Sequence, residues 1–473
     1  MSFYRLERDI PVEEGYDVAV LGGGPAGCAA AVSAARLGAK VLLVEAMGCL
    51  GGTGTSGLVT EFDPMANGEQ MLVGGWMREV METLYERGYV PDLLNPERWR
   101  KLQMRWTPFD AEGLKLLLDE MMEKEHVEVR FFTKVIDADV EPDPLRVKGV
   151  VLSNVEGYRY VKAKTYIDAT GDAILSHLCG VKCWDAGTDT PDIMPPTLCA
   201  LLTGVDWHKI NPADIGLPEH QEKIDQAIAD GFFSQADHHV PGLFMSMGQV
   251  GSLNAGHVFG MSSTNCASLS RGMVRGRRLV QEYLEFYRKY FDLPDLQLVT
   301  TAAMMGIRES RRISGEYILG YEDYAARRKF PDQIAIFAKA IDIHVYDCSE
   351  EQYERYYNSF NKVDRYKPGE YYGIPYGVLV PKGSVNLWTA GRCVSADVMV
   401  QGSLRVQPAA AMMGQAAGVA AVQRCRTGQT ACELDTEELV RSLRAQGANL
   451  PQETLSKTMT RGGVPESAAC SHI

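Results

Sequence analysis

No run of apolar residues in this chain is long enough to cross a bilayer, and its first fifteen residues are too charged to read as a secretory leader. Basic residues are in the minority, 48 Lys and Arg against 61 Asp and Glu. The resulting net charge of −13 argues against a nucleic-acid surface as the main business of the protein. No two of the eleven cysteines stand at C-x-x-C spacing, which removes the usual local zinc and iron–sulfur patterns. Scattered among apolar neighbours, they fit the reduced thiols of a cytoplasmic protein better than a disulfide framework. Cys179 and Cys183, about one helical turn apart, read as two buried small side chains. Histidine is scarce, nine in 473 residues. The pair His238-His239 has no partner ligands at suitable spacing, so it reads as a surface loop and no metal site is expected. Repeats are absent, and there is no second glycine fingerprint after a strand to mark a separate NAD(P) domain.

What is present is concentrated near the N-terminus, in Tyr16 to Glu45. Val18, Val20 and Leu21 form a short apolar strand that runs into Gly22, Gly24 and Gly27, the G-x-G-x-x-G spacing. One glycine permits the tight turn, one lets backbone approach a pyrophosphate, and one lets helix lie close on strand. Pro25 and Ala26 suit a first helical turn, and Gly38 suits the helix end. The free N–H groups of such a helix start, with its dipole, favour phosphate. Val41 to Val44 is a second buried strand, and Glu45, followed by Ala46, stands where ribose hydroxyls need an acceptor. Together these predict an α/β, Rossmann-like dinucleotide fold.

The length allows about two to three domains. Gly48 to Gly57 is too rich in glycine for a helix interior and is suited to wrap a cofactor, through Gly51, Gly52, Thr53, Thr55 and Ser56. Residues 71–125 read as largely helical, with Asp110 as a cap. From Val127 the period shifts to two, and VKGVVLSN, YRYVKAK and TYIDA read as short strands, the middle ones forming a β-meander. Residues 181–372 lose the α/β rhythm and read as an inserted α+β substrate domain, helical at 271–291 and 351–360. Asn386 to Gly391 returns as a buried strand, followed by a small-residue helix from Pro408. The division expected is a discontinuous cofactor domain, 1–180 and 373–453, a cap, 181–372, and a C-terminal tail, 454–473, with little core signal.

Taken in order, GGGPAG with Glu45, GCLGGTGTSGLV, YIDATGD, GIRESRRISGEYIL, IDIHVYD, IPYGVLVPKGSVNLWTAGRCVSAD and GSLRVQPAAAMMGQAAGVAA resemble one family. It is the FAD-dependent oxidoreductases of the glutathione-reductase-like fold, in particular a bacterial family related in its flavin domain to fumarate reductase and succinate dehydrogenase flavoproteins. The resemblance implies FAD, held at its ADP half by Gly22, Gly24, Gly27 and Glu45. It places Val135 at adenine and Ala169, Gly171 and Asp172 near the cofactor. Gly391, Arg392, Ser403, Leu404, Arg405 and Val406 would approach the flavin, with the last helix aimed at its N1–C2=O edge, where a helix dipole favours the reduced anion. The C-x-x-x-x-C pair of disulfide reductases is missing, so their dithiol chemistry does not carry over. Cys49 and Cys393 fall in cofactor-facing segments but read as packing residues.

Arg308, Arg311 and Arg312 form the sharpest polar cluster outside the nucleotide region. If helical, two of these guanidiniums share a face and can grip a carboxylate; the equal alternative is a structural knot of ion pairs. Asp342 and His344 alternate with isoleucines and point the same way, so His344 is a candidate acid or base oriented by an Asp, beside the alternative of a structural histidine. His257 is a second candidate, and Arg405 faces either substrate or flavin. The expectation is hydride transfer between a small polar substrate, a hydroxylated carboxylate or carbohydrate-derived compound, and flavin N5. A flavin monooxygenase, an FAD-dependent nucleic-acid-modifying protein and an FAD-carrying electron-transfer subunit are the rivals. Expected partners are that substrate and, left open, a separate electron acceptor or donor and a second copy of the chain, with no nucleic acid and no membrane.

Overall fold

Strand Val12–Leu21 is buried on both faces from Val18 onward, and it forms the spine of a seven-stranded sheet. The computed structural model describes residues 4–91, 95–101, 107–210, 218–239, 242–356 and 365–451. Across the sheet the order is Glu128–Arg130, Val41–Val44, Val12–Leu21, Gly157–Asp168, Leu145–Asn154 and Lys134–Pro142, with Leu387–Thr389 also pairing to Gly157–Asp168. The first four of these strands run parallel to one another, and Leu387–Thr389 runs parallel to Gly157–Asp168, which places Val20 beside Leu43 and Ile167, and Tyr166 beside Leu387. Parallel strands covered on both faces need continuous apolar runs, which is why VLLV and the end of YDVAVL carry no polar alternation. The expected meander is antiparallel and is built from Lys134–Pro142, Leu145–Asn154 and Gly157–Asp168.

YRYVKAK and TYIDA are one strand instead of two, because Lys164-Thr165 offers no turn chemistry to part them. Its first half feeds the meander, and its second half lies between the glycine-turn strand and Leu387–Thr389.

The expected N-terminal fingerprint is a strand, the turn at Gly22, and helix Pro25–Ala35 with Pro at its start. Across that helix lies Gln407–Thr427, buried along almost its whole length. Two glycines set the separation. A Cβ on Gly414 would sit 2.0 Å from Ala26 O, and one on Gly418 would sit 2.3 Å from Ala30 O. Backbone therefore meets backbone, and no side chain fits between.

Between residues 71 and 125 the helices are Gly75–Glu86, Pro96–Lys101 and Ala111–Lys124. Asp110 caps the last of these by accepting from the N–H groups of Glu112 and Gly113. In the stretch 181–372 a second, antiparallel sheet runs Gly242–Met247, Val250–Asn254, Ala200–Thr203, Gln297–Thr301. Helix Cys266–Tyr290 supports it with Val280, Tyr283, Leu284, Phe286 and Tyr287. A hairpin, Gln333–Phe337 with Tyr372–Pro375, shares the core of helix Gln407–Thr427. The helix expected at 351–360 is Glu350–Arg355, with 357–364 outside the described residues, as is the tail 454–473. Among the described residues no helix is long and apolar enough to cross a membrane, and the ten cysteines are all free.

Gly414→Val is expected to force the two helices apart and to lower stability by roughly 1–3 kcal/mol, the usual cost of overfilling a packed core. Thermal unfolding of the variant beside wild type checks this; an unchanged midpoint would contradict the backbone contact.

Candidate active site

The glycine turn, the loop after the second strand and the start of helix Gln407–Thr427 converge at the carboxyl ends of the parallel strands. Gly22 has φ +104°, and a Cβ there would lie 2.4 Å from Ala169 O, so the turn presses on the end of strand Gly157–Asp168. Gly27 is tighter still, its Cβ falling 1.7 Å from Gly22 O. A Cβ on Gly24, by contrast, would meet nothing within 4 Å. That is open space at the N-terminus of an α-helix, the arrangement that suits a phosphate.

Gly51 donates its N–H to Gly23 O at 2.8 Å, and a Cβ on Gly52 would lie 2.9 Å from Gly24 Cα, which lays the second loop against the first. In that loop Thr53 is half-buried, Thr55 donates its hydroxyl to Leu50 O, and Ser56 stands 3.2 Å from the Cys49 thiol. Glu45 is buried and accepts from Gly23 N–H at 2.6 Å and Met47 N–H at 2.7 Å; burial pushes its carboxyl up. Ala46 beside it is exposed, and Val135 is the second residue of the first meander strand, Lys134–Pro142.

The C-terminal segments close on the same place. A Cβ on Gly391 would lie 3.2 Å from Ala26 Cβ. Arg392 donates to Asp172 at 2.9 Å and to Gly171 O at 3.0 Å. The hydroxyl of Ser403 donates to Lys339 O, Leu404 is buried, and Val406 precedes the helix that begins at Gln407. Gln407 donates to Val59 O and Glu61 O, while its Oε1 is buried with no hydrogen-bond partner among the described residues. Arg405 Nε and Glu61 Oε2 are in the same position. Unsatisfied buried polar atoms around an amide-lined cradle fit a large polar cofactor.

Next to this cradle is a buried group of imidazoles and carboxylates. His257 Nε2 stands 2.9 Å from His344 Nδ1. Behind His257, Nδ1 faces Asp237 at 3.2 Å; behind His344, Nε2 faces Asp342 at 3.2 Å. Residues 341–345 form no strand, yet Asp342 and His344 do pair as their alternation predicts. Asp342 also accepts from Arg405 at 2.8 Å, and Asp237 from the Tyr353 hydroxyl at 2.8 Å. Burial pushes both carboxyls up, but His257 and His344, with Arg405 beside Asp342, hold them below the usual range. Burial and Arg308 drive the His344 imidazole well below its ordinary value.

Sequence reasoning places His239 in a surface loop, and the structure corrects this. Its ring stacks on His257 at 5.2 Å and meets His344 edge-on at 4.8 Å, and burial lowers its pKa to about 4. The only signal was the doublet itself, since its neighbours are far along the chain. His238, adjacent, pairs with Asp225 at the rim.

The arginine cluster divides. Residues 308–311 are not helical, so the shared face does not form. Arg308 turns inward and donates to Pro195 O at 2.8 Å and Thr197 Oγ1 at 2.9 Å; burial and Arg405 lower its pKa to about 10. Arg311 pairs with Asp185, and Arg312 with Asp189 and Ala396 O, which is the ion-pair knot. Glu61, which sequence reasoning missed, accepts from Asn254, and burial pushes its carboxyl up to about 8.

Residues 17–443 match the sequence family described as FAD dependent oxidoreductase. Over 48 residues, 10% of each chain, the protein is 54% identical to dihydrolipoyl dehydrogenase of Trypanosoma brucei brucei. Over 166 residues it is 30% identical to the tRNA uridine 5-carboxymethylaminomethyl modification enzyme MnmG of Clostridium botulinum (strain Okra / Type B1), covering 33% of this chain and 24% of that one. The chain thus spans a quarter or less of these two relatives. Among solved structures, a geranylgeranyl bacteriochlorophyll reductase-like protein from Thermoplasma acidophilum aligns with TM-score 0.45 and 13% identity, over 92% of this chain and 83% of that one.

Gly24→Val should preserve folding, because a Cβ there meets nothing within 4 Å among the described residues, while FAD content falls steeply; undiminished flavin stoichiometry would contradict the phosphate position. Glu61 gives a pH test. A carboxyl whose folded pKa is raised stabilises fully below its unfolded value near 4.5 and loses that contribution as pH rises through about 8. Between about pH 4.5 and pH 8, unfolding should show wild type losing stability and Glu61→Gln losing less; parallel profiles would contradict the shift.

Proposed function

The chain belongs to the FAD-dependent oxidoreductase family, and from that premise we propose that it oxidises or reduces a small polar substrate, a hydroxylated carboxylate or carbohydrate-derived compound. Bound FAD supplies the two-electron acceptor or donor for the hydride. Gly22, Gly24, Gly27 and the N-terminus of helix Pro25–Ala35 would receive its diphosphate. The start of helix Gln407–Thr427, with Arg405 and Gln407, would meet its ring. In this reading, residues 1–180 and 373–453 form a glutathione-reductase-like cofactor domain, and residues 181–372 bring the substrate wall to it.

One observation carries the substrate reading. Two guanidiniums stand beside the imidazoles, Arg308 buried and Arg405 half-buried, and Arg405 Nε is a buried atom with no hydrogen-bond partner among the described residues. A cation with a buried, unused N–H is suited to an anionic or hydroxylated ligand. Arg308 anchors the substrate's oxygen. The cluster of His257 and His344 handles the proton at the substrate hydroxyl, with Asp237 and Asp342 orienting the rings. Arg311, held by Asp185, contributes to this wall by fixing the chain segment that carries Arg308. Cytoplasmic placement, a separate electron carrier and self-association belong to the same proposal and rest on composition alone.

Anaerobic mixing of the FAD-loaded protein with a panel of hydroxylated carboxylates and sugar derivatives, read by flavin bleaching, tests this reading. For a reducing substrate, His344→Ala should keep FAD and slow bleaching by on the order of 100-fold, and Arg308→Ala should raise the substrate concentration needed. Wild-type single-turnover rates in both variants would overturn the assignment.

A further inference from the structure

Two imidazoles that face each other, each with a carboxylate behind it, pose a problem of valence. Asp237 stands 3.2 Å from His257 Nδ1 and Asp342 stands 3.2 Å from His344 Nε2, and a carboxylate oxygen accepts from a ring N–H. His257 Nδ1 and His344 Nε2 therefore carry the N–H groups and donate to them. The facing nitrogens, His257 Nε2 and His344 Nδ1, are then both lone-pair acceptors at 2.9 Å. An electrophile belongs between them. His239 supplies a third lone pair at the same place. Its ring makes no hydrogen bond among the described residues, lies within 3° of parallel to His257, and is nearly perpendicular to His344. The ligating nitrogens of all three lie within 4.8 Å of one another. A proton would use two of these lone pairs; a metal ion uses all three.

We propose that His239, His257 and His344 bind a divalent first-row transition metal ion of the zinc class, with Asp237 and Asp342 as the carboxylates that orient two of the rings. Neutral imidazole is a ligand for such ions, and a second ring nitrogen tied to a carboxylate is the usual support of a metal-bound histidine. With metal–nitrogen bonds of about 2.0–2.1 Å, nitrogens at tetrahedral angles stand about 3.3 Å apart. The 2.9 Å pair is close to that spacing, and His239 needs to draw in by roughly 1–1.5 Å. Two carboxylates offset the charge of the ion, as Arg308 and Arg405 do not. Three protein ligands leave a position open, the pattern of catalytic rather than structural sites. That position takes water; with the ion bound, His257 and His344 hold the ion, and the substrate's hydroxyl proton passes to the metal-held hydroxide, which becomes water, a step that rests on the function proposed above.

Zinc chloride is the probe. After equilibrium dialysis of the FAD-loaded full chain, one zinc per flavin should remain, and X-ray absorption should show nitrogen and oxygen ligands with imidazole scattering. His239→Gln should retain FAD, which reports folding, and hold less than about a tenth of the metal. Asp237→Asn should weaken zinc by roughly 10–100-fold. Wild type that holds no zinc, a shell containing sulfur from the free cysteines, or full zinc content in both His239→Gln and His257→Gln would overturn the site. The wild-type spectrum decides even where a variant fails to fold. A zinc-loaded chain whose flavin no hydroxylated anion reduces would sink the substrate reading and leave the metal site standing.

Discussion

Everything in this fold depends on backbone meeting backbone where side chains are missing. Gly27 lies on Gly22, Gly22 on Ala169, Gly414 on Ala26 and Gly418 on Ala30. The last two of these contacts tie an N-terminal βαβ unit to a helix nearly four hundred residues later, with Arg426 donating to Leu37 O at the far end of the same helix pair. Close approach of this kind gives dispersion contact along whole helices, at the entropic cost that glycine carries in the unfolded chain. It also fixes the cradle, since the glycine turn, Gly52 and the start of helix Gln407–Thr427 have no slack to move apart.

The half of the molecule that was legible in the sequence is the half governed by such local rules. Glycine spacing, a Pro at the helix start and unbroken apolar strands each act over a few residues, so Tyr16 to Glu45 and the meander from Lys134 to Asp168 follow from pattern. Asp110 caps its helix because a cap needs only three residues of context. Sequence reasoning overreads a turn at Lys164-Thr165 because it counts period without register.

The chemical wall was less legible for a physical reason. Its charges are brought together by tertiary packing from Asp237, His239, His257, Arg308, Asp342 and Arg405, and no spacing in the sequence encodes their meeting. Pairing of Asp342 with His344 could be read because alternation holds even in extended backbone without a ladder. The ion-pair knot of Arg311 and Arg312 was one of two readings open to the sequence, whereas the inward turn of Arg308 could not be read, because helical spacing presumed a helix that residues 308–311 do not form. His239 was misplaced for the same reason as Glu61 was missed: burial is a property of what covers a residue, and here the cover comes from another part of the chain.

Asp342 is shared. One carboxylate oxygen meets Arg405, at the threshold of the C-terminal helix, and the other meets the His344 ring. A single anion shared by a guanidinium and an imidazole N–H makes the two thermodynamically reciprocal: an occupant that draws Arg405 away frees Asp342 to bind the imidazole side more strongly, and the reverse holds by the same factor. The two ends of the wall therefore load as one unit.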